Sequence, residues 1–159
     1  MKKQGKTKTL AGCVILDDLG RILLLHRRGP HAQWELPGGK IEDGEDAIKT
    51  AVREISEELG ITVVLERELG NMEFAENGDL HGYTWFLASV TKGVPVINEP
   101  KKFDDLKYFF WVDLLAQKSD LSANMRNLLE AYSTGKLRLF PGLDVYCPIP
   151  KGYLGKLTQ

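Results

Sequence analysis

The chain has 159 residues, 43% hydrophobic and 27% charged, an ordinary globular balance of a size that suits one domain with its own core. With 21 basic and 22 acidic side chains the net charge is −1, so there is no general electrostatic drive toward nucleic acid or anionic membrane. No apolar run approaches the roughly 20 residues of a membrane helix.

Residues 1–8, polar and basic, read as a flexible N-terminal arm. Neither MKKQGKTKT nor LAGCVILDDLG, which turns polar too soon, makes an export signal. Cys13 and Cys147 stand far apart, in no metal-ligand spacing, and Cys13 in AGCVIL reads as a small buried hydrophobe. Reduced thiols without an export signal imply a cytoplasmic protein. The runs TLAGCVIL and RILLLHRR, separated by DDLG, predict a hairpin of strands over about 9–16 and 21–28. RGPHAQ is a loop, and WELPGG is a short strand ended by Pro37, Gly38 and Gly39. A helix follows from about Glu45 to Leu59, with Gly60 as its stop. ITVVLERELGNMEFAE is extended, Asn77 to Asp79 is a turn, and HGYTWFLASV is a strong strand. NEPKKFDD reads as a polar loop, LKYFFWV as a strand, DLLAQ as a short helix and SANMRNLLEAY as a longer amphipathic one. A domain over 9–140 then gives way to an irregular tail, 141–159, containing Pro141, Pro148 and Pro150. Helices interspersed among more numerous strands argue for a sheet covered by helices.

The helix is the chemically informative element. At about 100° per residue, Ile48, Ala51, Val52, Ile55 and Leu59 make one apolar stripe facing the core. The solvated side lies near Arg53 and Glu57. Glu54 and Glu58 fall beside the stripe, where unpaired carboxylates are costly, and like charges three and four residues apart repel. A divalent cation resolves the conflict, because Mg²⁺ takes oxygen ligands and commonly binds one or two carboxylates together with substrate phosphates. The loop over Pro37, Gly38 and Gly39 allows close backbone approach, and its carbonyls could join the coordination shell. Glu45 and Arg53 are natural ion-pair partners that would pin this loop against the helix.

Gly39, five residues, Glu45, seven residues, then REISEELGI from Arg53 to Ile61 matches the pattern G-x5-E-x7-R-E-U-x-E-E-x-G-U, with U aliphatic: nine positions in register over 23 residues. In this the chain resembles the Nudix hydrolase family. The resemblance implies an α/β fold, an α/β/α sandwich around a mixed sheet, and hydrolysis of a nucleoside diphosphate linked to a moiety X, assisted by Mg²⁺ or Mn²⁺. Glu57 and Glu58 then look like metal ligands, and Glu54 like a further ligand or the general base. Gly38 or Gly39 would lend a carbonyl to the metal, and Glu45 and Arg53 would orient the site. Glu99 in NEPKK resembles the extra acid that some members present from a loop. A carboxylate would take the proton from the attacking water. Arg28, favoured over Arg27, is a candidate phosphate contact, as is Lys40, and Glu35 joins the substrate-binding candidates. By strand alternation the two arginines point to opposite faces. His26 and His31 show no evident partner.

WELPGGKIEDGE and NEPKKFDDLKYFFWVDL resemble the MutT-like branch, which acts on nucleoside triphosphates, so the resemblance implies a monophosphate and pyrophosphate as products. The alternative is a nucleoside diphosphate sugar or ADP-ribose. The proline that ADP-ribose members often carry about 16 residues past the box is not found here, where Glu76, Asn77 and Gly78 stand. A catalytically inactive sensing module is a third reading, but such modules carry degenerate boxes. Phe74, Trp34 or an aromatic of YFFW could stack on a base, while Trp85 and Trp111 read as core. The expected partner is a small nucleotide, with no nucleic acid and no membrane. An exposed strand edge and the proline-containing tail are compatible with a homodimer.

Overall fold

The computed structural model describes residues 7–137. In chain order its elements are β1 (Lys8–Ile15), β2 (Ile22–Arg27), β3 (Trp34–Glu35), β4 (Gly38–Lys40), α1 (Ala47–Leu59), β5 (Thr62–Glu76), β6 (Asp79–Lys92), β7 (Phe103–Phe109), α2 (Trp111–Ala116) and α3 (Ala123–Ser133). They group into two compact units, one of the chain up to Val14 with Pro37–Glu99, the other of Ile15–Leu36 with the chain from Pro100 onward.

The first unit holds a four-stranded sheet, order β4-β1-β6-β5, and α1. β5 and β6 form a long antiparallel hairpin, closed by Asn77 and Gly78, both at positive φ (51° and 81°), as a two-residue turn matched to strand twist requires. Ala11, Cys13, Ile55, Leu59, Ile61 and Trp85 are buried in this unit. The second unit holds a three-stranded sheet, order β3-β2-β7, with antiparallel pairings, together with α2 and α3. Ile22 to Leu25 are fully buried along β2, as are Leu114, Met125 and Leu128 on the helices. α3 starts where the Ser122 hydroxyl accepts the Met125 N–H, a standard N-cap. The α/β class read from the sequence is therefore the observed one, and Trp85 and Trp111 are core residues, 2% and 1% exposed.

Four expectations change. β1 and β2 are not a paired hairpin: the turn forms, with Gly20 N–H donating to Asp17 O, but beyond one bridge between Leu16 and Ile22 the strands enter different sheets. A turn signal specifies a reversal, not which strand accepts the ladder. Gly38 and Gly39 are not loop: they form β4, paired with Gly12 and Ala11 of β1. The strand expected through LKYFFWV begins at Phe103 and ends at Phe109, and Trp111 opens α2. Lys8, expected in the arm, begins β1, and its ammonium donates to Asp79 at 2.8 Å. Residues 1–6 of that arm and the tail expected over 141–159 with Cys147 lie outside the described residues. No helix among the described residues is long and apolar enough to cross a membrane.

Gly12 is one of the tight glycine positions in the first unit. A Cβ there would strike the buried Tyr83 hydroxyl and come 2.5 Å from the Pro37 carbonyl oxygen. A strand-interior glycine marks such close approach. Gly12→Ala should therefore destabilise the protein by about 1–3 kcal/mol through overpacking, read by urea unfolding. Gly12→Ala with Tyr83→Phe should recover part of the loss, since the phenol oxygen is the atom first met. Undiminished stability of the single variant would contradict this packing.

Candidate active site

α1 is set at both ends by local chemistry. The Asp46 carboxylate accepts the Lys49 N–H at 2.8 Å, so the helix starts at Ala47 and Glu45, expected as its first residue, sits just before it. Gly60 ends it in the left-handed conformation, φ 65°. The buried side carries Thr50, Ala51, Glu54, Ile55, Glu58 and Leu59. Compared with the predicted stripe, this face is rotated by roughly 70° at 100° per residue. Ile48 is 57% exposed, while Glu54 and Glu58 are 8% and 3% exposed. The two glutamates do not merely border the buried face; they belong to it. Arg53, expected on the solvated side, is half-buried because its guanidinium folds back onto acceptors on both sides of β4 and α1.

That guanidinium is the hub. Its Nε and Nη2 donate to the two oxygens of Glu45 at 2.7 and 2.8 Å, the bidentate geometry that arginine favours. Nη1 donates to Glu54 at 3.0 Å and Glu57 at 3.1 Å. Nη2 also reaches the Lys40 carbonyl at 3.2 Å, tying the end of β4 to the helix. Glu45 further accepts the Thr50 hydroxyl and the Glu42 N–H, each at 3.2 Å. The hydrogen bonds from Arg53 hold the Glu45 carboxyl down at about 2, and the same contact raises the Arg53 guanidinium. The expected Glu45–Arg53 pair is thus present.

β4 lies directly against the carboxylates of Glu54 and Glu58. Gly38 N–H donates to Glu58 Oε2 at 3.2 Å. A Cβ on Gly39 would sit 2.5 Å from both Cδ and Oε1 of Glu54, so only a bare backbone fits there. Cys13, buried, has its thiol pushed up to about 12 by burial and by the nearby Glu58 charge, which leaves it inert. Glu99 closes the segment that follows β6. Asn98, just before it, donates through Nδ2 to the Glu57 carbonyl at 2.9 Å. An open cavity of about 190 Å³ in the same unit is lined by Thr9, Leu10, Ile41, Asn71, Met72, Glu73, Gly82, Tyr83 and Thr84.

The structure brings together Gly38, Gly39, the Lys40 backbone, Glu45, Arg53, Glu54, Glu57 and Glu58, and Asn98 joins Glu99 to the same helix. Arg27, Arg28 and Glu35 belong to the second unit. There Arg27 donates to both oxygens of Glu35, at 2.9 and 2.6 Å, and lies over the Phe103 ring. Arg28 is beyond β2 and donates through Nε to Pro100 O at 2.7 Å. A register shift between His26 and Arg27 removes the simple alternation expected of the two arginines. His26 does have a partner: its Nδ1 is 2.6 Å from Asp104 Oδ1, and this bond draws the Asp104 carboxyl down. Trp34 packs against His26 and Phe109, and Phe74 stacks on His81. Tyr83, Thr50 and Asn98 were not singled out from the sequence. A glycine inside the apolar run of β1 was the one available hint of Tyr83.

A profile of the NUDIX domain matches residues 6–132, and the chain belongs to that family. It is 33% identical over 128 residues, 70% of this chain and 82% of the other, to an oxidized purine nucleoside triphosphate hydrolase of Danio rerio. It is 40% identical over 57 residues to a putative 8-oxo-dGTP diphosphatase of Bacillus subtilis, with 36% of this chain matched and only 38% of that relative's length. A MutT NUDIX hydrolase from Burkholderia pseudomallei has a similar structure, with TM-score 0.64 and 33% identity over 79% of this chain and 97% of the other. The resemblance to the MutT-like branch is borne out.

The Glu45–Arg53 clamp has a signed pH dependence. Its carboxyl is depressed in the folded state, to about 2 from an ordinary 4.5. Its contribution to stability is therefore complete above the ordinary value and is lost as pH falls toward the folded one. Glu45→Gln should lower stability against urea at pH 7, and the gap from the parent protein should shrink between pH 4.5 and pH 2. A gap unchanged over that window would contradict the clamp.

Proposed function

We propose that the chain is a divalent-metal-dependent pyrophosphohydrolase of nucleoside diphosphates linked to X, with a nucleoside triphosphate as substrate and a monophosphate and pyrophosphate as products. The observation that carries this reading is the placement of Glu54 and Glu58 on the buried face of α1, against the bare backbone of β4. The names of the Danio rerio and Bacillus subtilis relatives, a triphosphate hydrolase and an 8-oxo-dGTP diphosphatase, support the substrate class. A cytoplasmic location follows from that class and from the free, buried thiol of Cys13.

The donor set fits Mg²⁺ or Mn²⁺. Carboxylates and backbone carbonyls are the hard oxygen ligands such ions take, and the absence of a side chain at Gly39 lets the Glu54 carboxylate lie directly against the β4 backbone. Among the described residues no three His, Cys, Asp or Glu side chains are gathered as a ready-made metal cluster; Arg53 holds Glu54 and Glu57 instead. Glu54, Glu57 and Glu58, with the carbonyl of Gly38 or Gly39, would hold the ion. When bound, it neutralises phosphate charge and lowers the pKa of water.

The chain's own residues do the rest. Arg53, fixed by Glu45, keeps Glu54 and Glu57 on one side of the helix. Water attacks one phosphorus in line, forming a P–O bond as the anhydride P–O bond breaks, and its proton passes to Glu99, with Glu54 as the other candidate acceptor. Lys40 is the proposed phosphate contact in the first unit, and Arg28 is the candidate anion contact of the second. Arg27 and Glu35, occupied with one another, brace that end of β2. The cavity over β1, β5 and β6, where Leu10, Ile41 and Met72 stand beside Thr9, Asn71, Glu73 and Thr84, is the proposed place of the base.

The test is turnover with Mg²⁺ across nucleoside triphosphates, nucleotide sugars and ADP-ribose, following pyrophosphate or sugar phosphate. Triphosphates should be the better substrates; rapid turnover of a nucleotide sugar with inert triphosphates would reverse the assignment. Glu57→Gln should cut kcat/KM by about 100-fold or more, beyond the loss usual for a residue that only supports a metal ligand, with the thermal midpoint retained. Full activity of that variant would remove Glu57 from the metal site.

A further inference from the structure

We infer that Asn98 is a positioning residue that registers Glu99 against the last turn of α1; this rests on the reading of Glu99 as proton acceptor. The final carbonyls of a helix have no partner within it. Here they are taken by the segment that follows β6. Val96 N–H donates to Leu59 O at 3.1 Å, Asn98 N–H to Glu58 O at 3.0 Å, and Asn98 Nδ2 to Glu57 O at 2.9 Å. One residue thus grips the backbone of both Glu57 and Glu58, whose carboxylates are assigned to the metal. Because only the amide nitrogen can donate to a carbonyl, the orientation of the Asn98 amide is fixed.

α1 ends on Gly60 in the left-handed conformation, φ 65°, and the segment packs over it, with Val96 Cγ2 and Asn98 Cγ at ordinary contact distance, 3.5 and 3.9 Å, from where a Cβ would stand. Glu99 is the next residue, one Cα step of about 3.8 Å away. Pro100 follows it and holds Glu99 to extended backbone conformations. The backbone bond at position 98 is open to any residue but proline. The side-chain bond needs a donor on a two-atom reach, which asparagine supplies. The physical consequence is that the proton acceptor and the proposed metal ligands share one frame, which matters because a displacement of about 1 Å costs roughly 100-fold in rate.

A double-mutant cycle on the full chain, with Asn98→Ala, Glu99→Gln and both together, tests this under Mg²⁺ with nucleoside triphosphate varied up to saturation, alongside amide hydrogen exchange. Asn98→Ala should leave KM within about twofold and lower kcat roughly 10- to 100-fold. In the Glu99→Gln background it should add no further loss, because both changes act through the same group. Exchange at Val96 should quicken while that at Ala51 and Ile55 stays slow. A Glu99→Gln enzyme that is impaired, yet loses about tenfold more on Asn98→Ala, overturns the positioning role and leaves Glu99 as acceptor. A fully active Glu99→Gln enzyme overturns the role of Glu99 and the inference with it. Unchanged kcat in Asn98→Ala, or unchanged exchange at Val96, also overturns it, the exchange result independently of the substrate class.

Discussion

The Arg53 guanidinium is what allows the acidic helix to exist. Glu54, Glu57 and Glu45 all place an oxygen within 3.1 Å of it, so one permanently charged group offsets repulsion that would otherwise oppose folding. Its planar fork satisfies several acceptors at once, which the single ammonium of a lysine could not do in one geometry. Through the Lys40 carbonyl the same side chain also holds β4 to α1. Removal of the guanidinium would take from Glu45, Glu54 and Glu57 the charged donor they share.

Around that hub the site is made of backbone as much as side chains. Glu58 accepts a strand N–H, Glu54 rests where Gly39 has no Cβ, and the carbonyls at the end of α1 are taken by the segment leading to Glu99. Glycine is needed at Gly39 because a carboxylate occupies the space, which is a different requirement from turn flexibility. Such contacts place the acids within tight limits before any ion or substrate arrives, and preorganisation of this kind is what electrostatic catalysis depends on. The second unit uses the same economy of pairing, with Arg27 on Glu35 and His26 on Asp104.

Much of this was legible in the one-dimensional pattern. The helix with its Gly60 stop, the Asn77–Gly78 turn, the core tryptophans and the Glu45–Arg53 pair all depend on chemistry local in sequence or on a spacing that helical geometry reads directly. The turn after β1 was legible too, but its hydrogen-bonding partner was not. β1 pairs with β4 and neighbours β6, and nothing in a strand's own residues states which edge it will join. The depth of Glu54 and Glu58 was underestimated for a related reason. Hydropathy places a helix by its apolar residues, whereas here β4 packs on the side where the carboxylates lie.

By itself, then, the sequence determined the identity of the charged groups, their spacing on α1 and the family to which they belong, because those depend on residue type and helical period. Only the tertiary structure decided that Arg53 is half-buried, that Gly38 and Gly39 are strand, that Tyr83 fills the space above Gly12 and that Asn98 ties Glu99 to α1. Each of these is a contact between segments distant in sequence, fixed by which surfaces pack together and by the obligation of buried polar groups to find partners.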